Sequence, residues 1–124
     1  MIDTLNVGSY FYSNLSPIPN VTKVYPIVAD NDAKFPFIVY KRTNLVSNGC
    51  KDGYYEDVAV VQISIVTEKY KEGVEIANAA RKALECPNSR QFGDHTVSEC
   101  MLTAANEDYN NAYVQTMQFT LKIN

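Results

Sequence analysis

The clearest pattern in the chain is an alternation of apolar and polar positions between Tyr55 and Val66. Alternate residues of a β-strand point to opposite faces of a sheet, so a strand buried on one side repeats every second residue. One of the two series becomes continuously apolar in its second half. That series consists of Tyr55, Asp57, Ala59, Val61, Ile63 and Ile65. We therefore predict a strand whose face from Ala59 to Ile65 meets the core.

At Thr67 the period changes from two to nearly four, which indicates that a helix follows the strand. Thr67 has a side chain suited to an N-cap, and Glu68 and Glu72 lie where the positive end of a helix dipole favours carboxylates. Small and apolar residues then recur at helical spacing. They are Gly73, Ile76, Ala77, Ala80 and Leu84. This narrow stripe predicts a helix that packs closely on a sheet and ends at Cys86-Pro87-Asn88.

A shorter helix is predicted for residues 2–15, before the helix-breaking run Ser16-Pro17. Its apolar face consists of Ile2, Leu5, Phe11 and Leu15. Asp3 or Thr4 is placed to cap it.

Segments rich in β-branched and aromatic residues predict the remaining strands. These strands cover residues 21–28, 35–43, 97–106 and 112–123. The predicted element order is α-β-β-β-α-β-β. Such an order favours an α+β fold, a mainly antiparallel sheet of about five strands with one principal helix packed on one face and a short N-terminal helix.

Clusters of turn residues mark the connections. Asn44 to Gly53 contains two turn signals, Ser47-Asn48-Gly49 and Asp52-Gly53, which predict a loop or a protruding hairpin arm. Residues 88–96 are predicted to be a polar connection, and Glu107 to Asn111 to join the last two strands.

Composition adds limits on size and partners. A chain of 124 residues fits a single domain over 1–124. A net charge of −3 argues against specific nucleic-acid binding and against docking on an anionic membrane. No stretch approaches the roughly 18 apolar residues of a membrane span, and the N-terminus lacks a signal-peptide pattern. Three cysteines without a CxxC pair favour reduced thiols and a cytoplasmic product.

Residues that could carry catalysis or bind a metal are sparse. His95 is the single histidine, and with Asp94, Glu99 and Cys100 it forms the best available cluster. The extended pattern of the intervening residues separates His95 from Glu99, so we interpret His95 as a solvated loop residue. No recognised sequence signature supports a nucleophilic pair of His95 with Cys86 or Cys100. We expect no enzyme activity, no cofactor and no metal.

The nine tyrosines, beside no tryptophan, point instead to an interaction surface. Tyrosine is amphipathic and enriched in protein interfaces, although it is also a good strand former. Candidate interface residues lie at the predicted arm and at the last turn. They are Asn48, Lys51, Tyr54, Tyr55, Tyr109 and Tyr113.

Several segments together resemble the small tail-component family of tailed phages and prophages, the domain family DUF3168. The resemblance is carried by the strand Phe35 to Arg42, by Gln62-Ile63-Ser64-Ile65, by Tyr70-Lys71-Glu72-Gly73 and by the ending from Asp108 to Leu121. Gly73 stands where the family usually has alanine, and Ser64 where it often has an acidic residue. Otherwise the resemblance covers most of residues 1–124.

The resemblance implies a structural virion protein, similar to the tail-completion or tail-terminator proteins. Such proteins form a ring, commonly hexameric, at the head-proximal end of the tail, where they end the tail tube and face the head. The implied partners are copies of the chain, the tail tube protein and the head–tail connector protein, first in the host cytoplasm and then in the virion. The alternatives are a head–tail joining or neck protein and, in another class, a cytosolic ligand-binding or adaptor domain.

Overall fold

A computed structural model describes residues 4–49, 55–85 and 89–124. The elements are a 3-10 turn at Thr4–Val7, helix α1 at Gly8–Leu15, strands β1 at Lys23–Pro26, β2 at Phe37–Gly49 and β3 at Tyr55–Thr67, helix α2 at Tyr70–Leu84, and strands β4 at Arg90–Phe92, β5 at His95–Tyr109 and β6 at Tyr113–Ile123.

Within these residues the strands form one six-stranded sheet in the order β1-β2-β3-β6-β5-β4. The pairs are antiparallel apart from β1 and β2, which are parallel. The α+β class and the mainly antiparallel sheet are therefore confirmed, whereas the count of about five strands was too low. The extra strand is β4, in the stretch predicted as a polar connection. It pairs over three residues with β5 across a tight turn at Gly93, whose φ of 55° suits glycine.

Both helices pack on one face of the sheet because only that face is continuously apolar. The prediction for β3 is confirmed, since Ala59, Val61, Ile63 and Ile65 are all fully buried. Their neighbours on β6 are buried as well. These are Met117, Phe119, Leu121 and Ile123. Phe11 of α1 meets Phe119 edge-on, with 6.1 Å between ring centroids.

The principal helix begins three residues later than Thr67, the predicted N-cap. Lys69 holds the cap position without a side-chain hydrogen bond, and the fully buried Thr67 Oγ1 instead donates to the Lys69 carbonyl at 2.8 Å. The predicted stripe is largely confirmed: its buried members are Gly73, Ile76, Ala80 and Leu84. At the other end the Tyr10 hydroxyl donates to the Leu84 carbonyl at 2.7 Å, which satisfies one of the helix's terminal acceptors.

The N-terminal helix differs from its predicted form. It consists of a 3-10 turn followed by a two-turn α-helix, and Leu5, predicted to be buried, is 64% exposed. Thr4 does not cap the helix; its hydroxyl donates to the carboxylate of Asp57, and both residues are buried. Phe11 and Leu15 are fully buried as predicted. Ile2 and Asp3 lie outside the described residues.

Both long hairpins extend further than the turn signals suggested. β2 and β3 stay paired as far as Gly49 opposite Tyr55, which matches the hairpin arm among the two predicted forms. β5 and β6 stay paired as far as Tyr109 opposite Tyr113, so the connecting turn shrinks to residues 110–112, with Asn111 at a φ of 61°.

Three β-bulges bend these strands, and a hydroxyl residue occupies each. The register shifts fall at Thr43, Ser98 and Thr103. Each hydroxyl donates to a carbonyl of the partner strand, at 3.2 Å in all three cases. Bulges increase the local twist of a sheet, so these residues curl it around the helices.

The two margins of the sheet are only partly covered. β1 pairs with β2 at Phe37–Tyr40, and β4 pairs with β5 at His95–Val97. Further along β5 the Glu85 carboxylate accepts the Leu102 N–H at 3.0 Å. Among the described residues no strand pairs with the outer side of residues 41–49 or of residues 103–109, which we call the free edge of β2 and the free edge of β5.

The close contact of α2 with Thr67 generates a testable prediction. A Cβ atom at Gly73 would lie 2.9 Å from Thr67 Oγ1, which is buried and hydrogen-bonded and so cannot move away easily. We expect Gly73→Ala to lower the free energy of unfolding by about 1 kcal/mol, although alanine is the better helix former.

In a Thr67→Ala background the clash is gone, so we expect the same Gly73→Ala change to stabilise by up to about 1 kcal/mol. Denaturant unfolding of the four proteins gives this double-mutant cycle. An effect of Gly73→Ala with the same sign in both backgrounds would show that Thr67 does not explain the glycine.

Candidate interaction surface

Three tyrosines meet where the β5–β6 hairpin passes the start of α2. Tyr113 packs against Tyr70 at 5.8 Å and against Tyr109 at 4.9 Å between ring centroids. With Glu107, Asp108 and Gln115 they line an open cavity of about 230 Å³, which we call the tyrosine pocket. Tyr70 and Tyr109 are 48% and 62% exposed, so large aromatic area is available to a partner.

Glu107 organises this pocket. Its carboxylate accepts the Tyr70 hydroxyl at 2.9 Å and the Gln115 side-chain N–H at 2.9 Å. The hydrogen bond and the negative charge of Glu107 both raise the pKa of Tyr70 above its usual value. Aromatic faces beside a carboxylate suit a cationic or amphipathic side chain of a protein partner.

The structure divides the predicted interface residues into two groups. Tyr109 and Tyr113 lie in the tyrosine pocket, at one end of the strands. The backbones of Asn48 and Tyr55 lie in the β2–β3 arm at the opposite end, about 40 Å away along β3 at the usual rise per residue. Lys51 and Tyr54 lie outside the described residues. The six residues therefore do not form one continuous patch.

Four residues of the pocket were not predicted as interface residues: Tyr70, Glu107, Asp108 and Gln115. Tyr70 was assigned only to the start of a helix, and Glu107 only to a turn. Their contact joins positions 37 residues apart, which no local pattern reports. The available signal was the run Glu107-Asp108-Tyr109, in which acidic and aromatic residues adjoin at a strand end.

His95 was wrongly interpreted as a solvated loop residue. It opens β5, where it pairs with Phe92 of the short strand β4, and it is 9% exposed. Cys100, five residues further along β5, is fully buried. Cys50 and Cys86 lie outside the described residues.

The described parts of the chain contain neither a cluster of metal-binding side chains nor a helix that could span a membrane. No three histidine, cysteine or acidic side chains there are arranged to hold a metal ion. No helix among residues 4–49, 55–85 and 89–124 is long and apolar enough to cross a membrane.

The Glu85 side chain connects the end of α2 to strand β5, the strand that also carries Glu107 of the tyrosine pocket. One carboxylate oxygen accepts the Leu102 N–H at 3.0 Å and the other accepts Arg81 Nε at 2.8 Å. Partial burial of the carboxylate acts to raise its pKa. The hydrogen bond from Leu102 and the neighbouring guanidinium outweigh that effect, so the pKa of Glu85 is lowered.

Comparisons with known proteins give a similarity of fold. No protein-family model and no curated protein matches the sequence. Among solved structures, the chain is similar to one from a structure described as the virion of a native gene transfer agent (GTA) particle, with a TM-score of 0.76. The similarity covers 91% of this chain and 90% of that chain at 15% sequence identity. At this identity the similarity establishes a shared fold.

The lowered pKa of Glu85 predicts a pH-dependent contribution to stability. A carboxylate whose folded pKa is depressed stabilises above its unfolded value, about 4.5, and loses that contribution as pH falls through the folded pKa. We expect Glu85→Gln to lower the free energy of unfolding by about 1 kcal/mol at pH 7, because a charged acceptor is replaced by a neutral one.

The difference from the wild type should shrink as the pH falls below about 4.5 and the wild-type carboxylate is protonated. Urea unfolding at pH 7, 5 and 3.5 measures it. Glu99→Gln, which alters an exposed pair with Lys122, is the matched control, with a small expected effect. A Glu85→Gln deficit that is independent of pH would contradict the assignment.

Proposed function

We propose that this chain is a structural subunit of a tailed-phage or phage-derived virion. The fold similarity to a virion chain is the observation that carries this proposal, because it extends over nine-tenths of both chains at a TM-score of 0.76.

Within such a virion we propose the role of a tail terminator, which closes the head-proximal end of the tail tube and joins it to the head. The resemblance of the strand motifs to the DUF3168 family supports this finer assignment. A terminator also needs copies of itself around the tube axis, and a head-to-tail contact that repeats around an axis closes into a ring. Free strand edges at the two opposite margins of this sheet suit a contact of that kind.

We propose a structural rather than a catalytic role for the tyrosine pocket. Catalytic sites usually bring a nucleophile or a titratable base into a water-excluding cleft. Here the side chains are tyrosine, glutamine and carboxylate, and the cavity is wide open to solvent. Such a surface suits the recognition of another protein chain, and the partners of a terminator are neighbouring copies of itself, the tail tube protein and the head–tail connector.

Purified tail tube protein provides the test. We expect tubes polymerised alone to vary in length and to grow on, and tubes polymerised with this chain to stop, each with a ring at one end in negative-stain electron micrographs. Tyr109→Ser should leave the fold intact and weaken tube capping about tenfold or more if the tyrosine pocket contributes a contact of the assembled ring.

A neck protein would give a different result. Binding to the head connector, together with unchanged tube growth, would replace the terminator assignment by head–tail joining. Binding to neither partner would contradict a role in the virion.

A further inference from the structure

We propose that the free edge of β2 in one copy of this chain pairs, antiparallel, with the free edge of β5 in the next copy. This contact would join the subunits of the proposed ring, so its biological meaning rests on that proposed function. A strand edge exposes unpaired N–H and C=O groups that a second chain can complete, a mode of binding known as β-augmentation. The partner surface here is a segment of the same protein.

The orientation of the strands permits this pairing without turning the subunit over. Along the sheet order, β2 and β5 run in opposite directions, since β2, β3, β6 and β5 are joined by three antiparallel pairings. Two copies placed side by side with their helices on the same face therefore bring β2 of one copy antiparallel to β5 of the other.

Charge selects one register. On the free edge of β2, Arg42 lies on the helix-bearing face, opposite Val61, and Lys41 lies on the other face, opposite Gln62. On the free edge of β5, Glu107 lies on the helix-bearing face, where it bonds Tyr70 of α2, and Asp108 lies on the other face.

A single antiparallel register thus places Arg42 opposite Glu107 and Lys41 opposite Asp108. All four side chains are exposed. In the described part of the chain none of the four takes part in an ion pair.

The same register fits an apolar contact. With the bulge residue Thr43 left out of the alternation, Leu45 of the incoming strand falls opposite Ala105. Ala105 lies in a groove between α2 and β5 of about 270 Å³, whose apolar lining includes Val74, Ala77 and Met117. A leucine side chain from a neighbouring copy would fill the space above Ala105, where small residues leave room.

At both free edges, the backbone N–H and C=O groups that the proposed pairing needs point outward. The Tyr40 C=O points outward, because it accepts the N–H of Ile27 beyond the end of β1. The Leu102 N–H points outward, because it meets Glu85. Along a strand the backbone groups of successive residues point alternately to its two sides. Counted from Tyr40, and from Leu102 with the bulge residue Thr103 left out, the backbone groups of Arg42 and Glu107 therefore point outward as well. The charged pair therefore coincides with a hydrogen-bonded pair of the proposed ladder.

The ends of the free edges also fit. β1 stops at Pro26, and Ile27, with a φ of 66°, turns the chain away from β2. Ile27 and Val28 are 70% and 71% exposed. In the proposed register the β5–β6 turn of the neighbouring copy, with Tyr109 at its start, lies beside Ile27 and Val28. The contact would cover three of the large apolar side chains that the monomer leaves in water.

The register shifts neighbouring copies along the strands. Within one copy, the pairings across the sheet place Lys41 at the same height as Ala104, by way of Gln62 and Gln118. Between copies Lys41 would face Asp108 instead. This is a shift of four residues, about 13 Å at the usual rise. A closed ring accommodates such a stagger when its strands tilt relative to the axis, as in a β-barrel.

Disulfide trapping tests the register directly. In a protein with Cys50 and Cys86 replaced by serine, Leu45→Cys combined with Ala105→Cys should form cross-linked ladders under mild oxidation, since the Cα atoms of directly opposed residues lie about 5.5 Å apart, within the range that a disulfide spans. The matched control is Val46→Cys with Ala105→Cys, whose side chains lie on opposite faces. Equal cross-linking by both pairs, or none by either at any protein concentration, would overturn the proposed interface.

Charge reversal provides a second measurement in the otherwise unchanged chain. We expect Arg42→Glu or Glu107→Arg to raise the dissociation constant of self-association about tenfold or more, measured by light scattering, and the double variant to recover most of the loss. Circular dichroism and thermal unfolding verify that each variant folds. Folded single variants that associate like the wild type would overturn the interface.

The two proposals fail in different ways. Tube capping that persists without pair-specific cross-linking would refute this interface and leave the terminator role intact. Pair-specific cross-linking without tube capping would support the interface and refute the terminator role.

Discussion

Phe11 of α1 packs edge-on against Phe119 of β6, and both rings are fully buried. This contact fixes the first helix over the centre of the sheet. The neighbouring Tyr10 links the first helix to the second through its hydrogen bond to the Leu84 carbonyl. Burial of two phenylalanine side chains is worth about 3–6 kcal/mol, a large part of the stability of a domain of this size. With both helices held on one face, the other face and both margins of the sheet stay available for contacts.

The sequence was sufficient to predict the parts of the fold that repeat locally. The alternation from Ala59 to Ile65 and the stripe ending at Leu84 both predict the buried face correctly, because each period follows directly from strand or helix geometry. β4 was missed since three residues are too few to show a period. The parallel pairing of β1 could not be predicted either, because it depends on which distant strand the chain meets, and no local pattern records that.

The candidate site was less predictable than the fold, and for the same reason. Tyr109 and Tyr113 were recognised because they flank a turn, but their partner Tyr70 comes from another element. The contact between Tyr70 and Glu107 exists because α2 crosses the sheet at a particular level, which Gly73 and Thr67 determine by their close approach. The position of a partner surface is thus a consequence of packing, whereas the residue types that form it are visible in the sequence.

Charged residues at the edge of a sheet usually prevent strands from pairing with other chains. In the proposed interface they also discriminate between partners, because the free edge of β2 carries Lys41 and Arg42 and the free edge of β5 carries Glu107 and Asp108. Pairing of two identical edges across a two-fold axis would oppose like charges. Pairing of unlike edges opposes unlike charges and repeats in one direction around an axis. In the proposed interface the same four residues therefore disfavour a two-fold dimer and favour a head-to-tail contact, which closes into a ring when its rotation divides the circle.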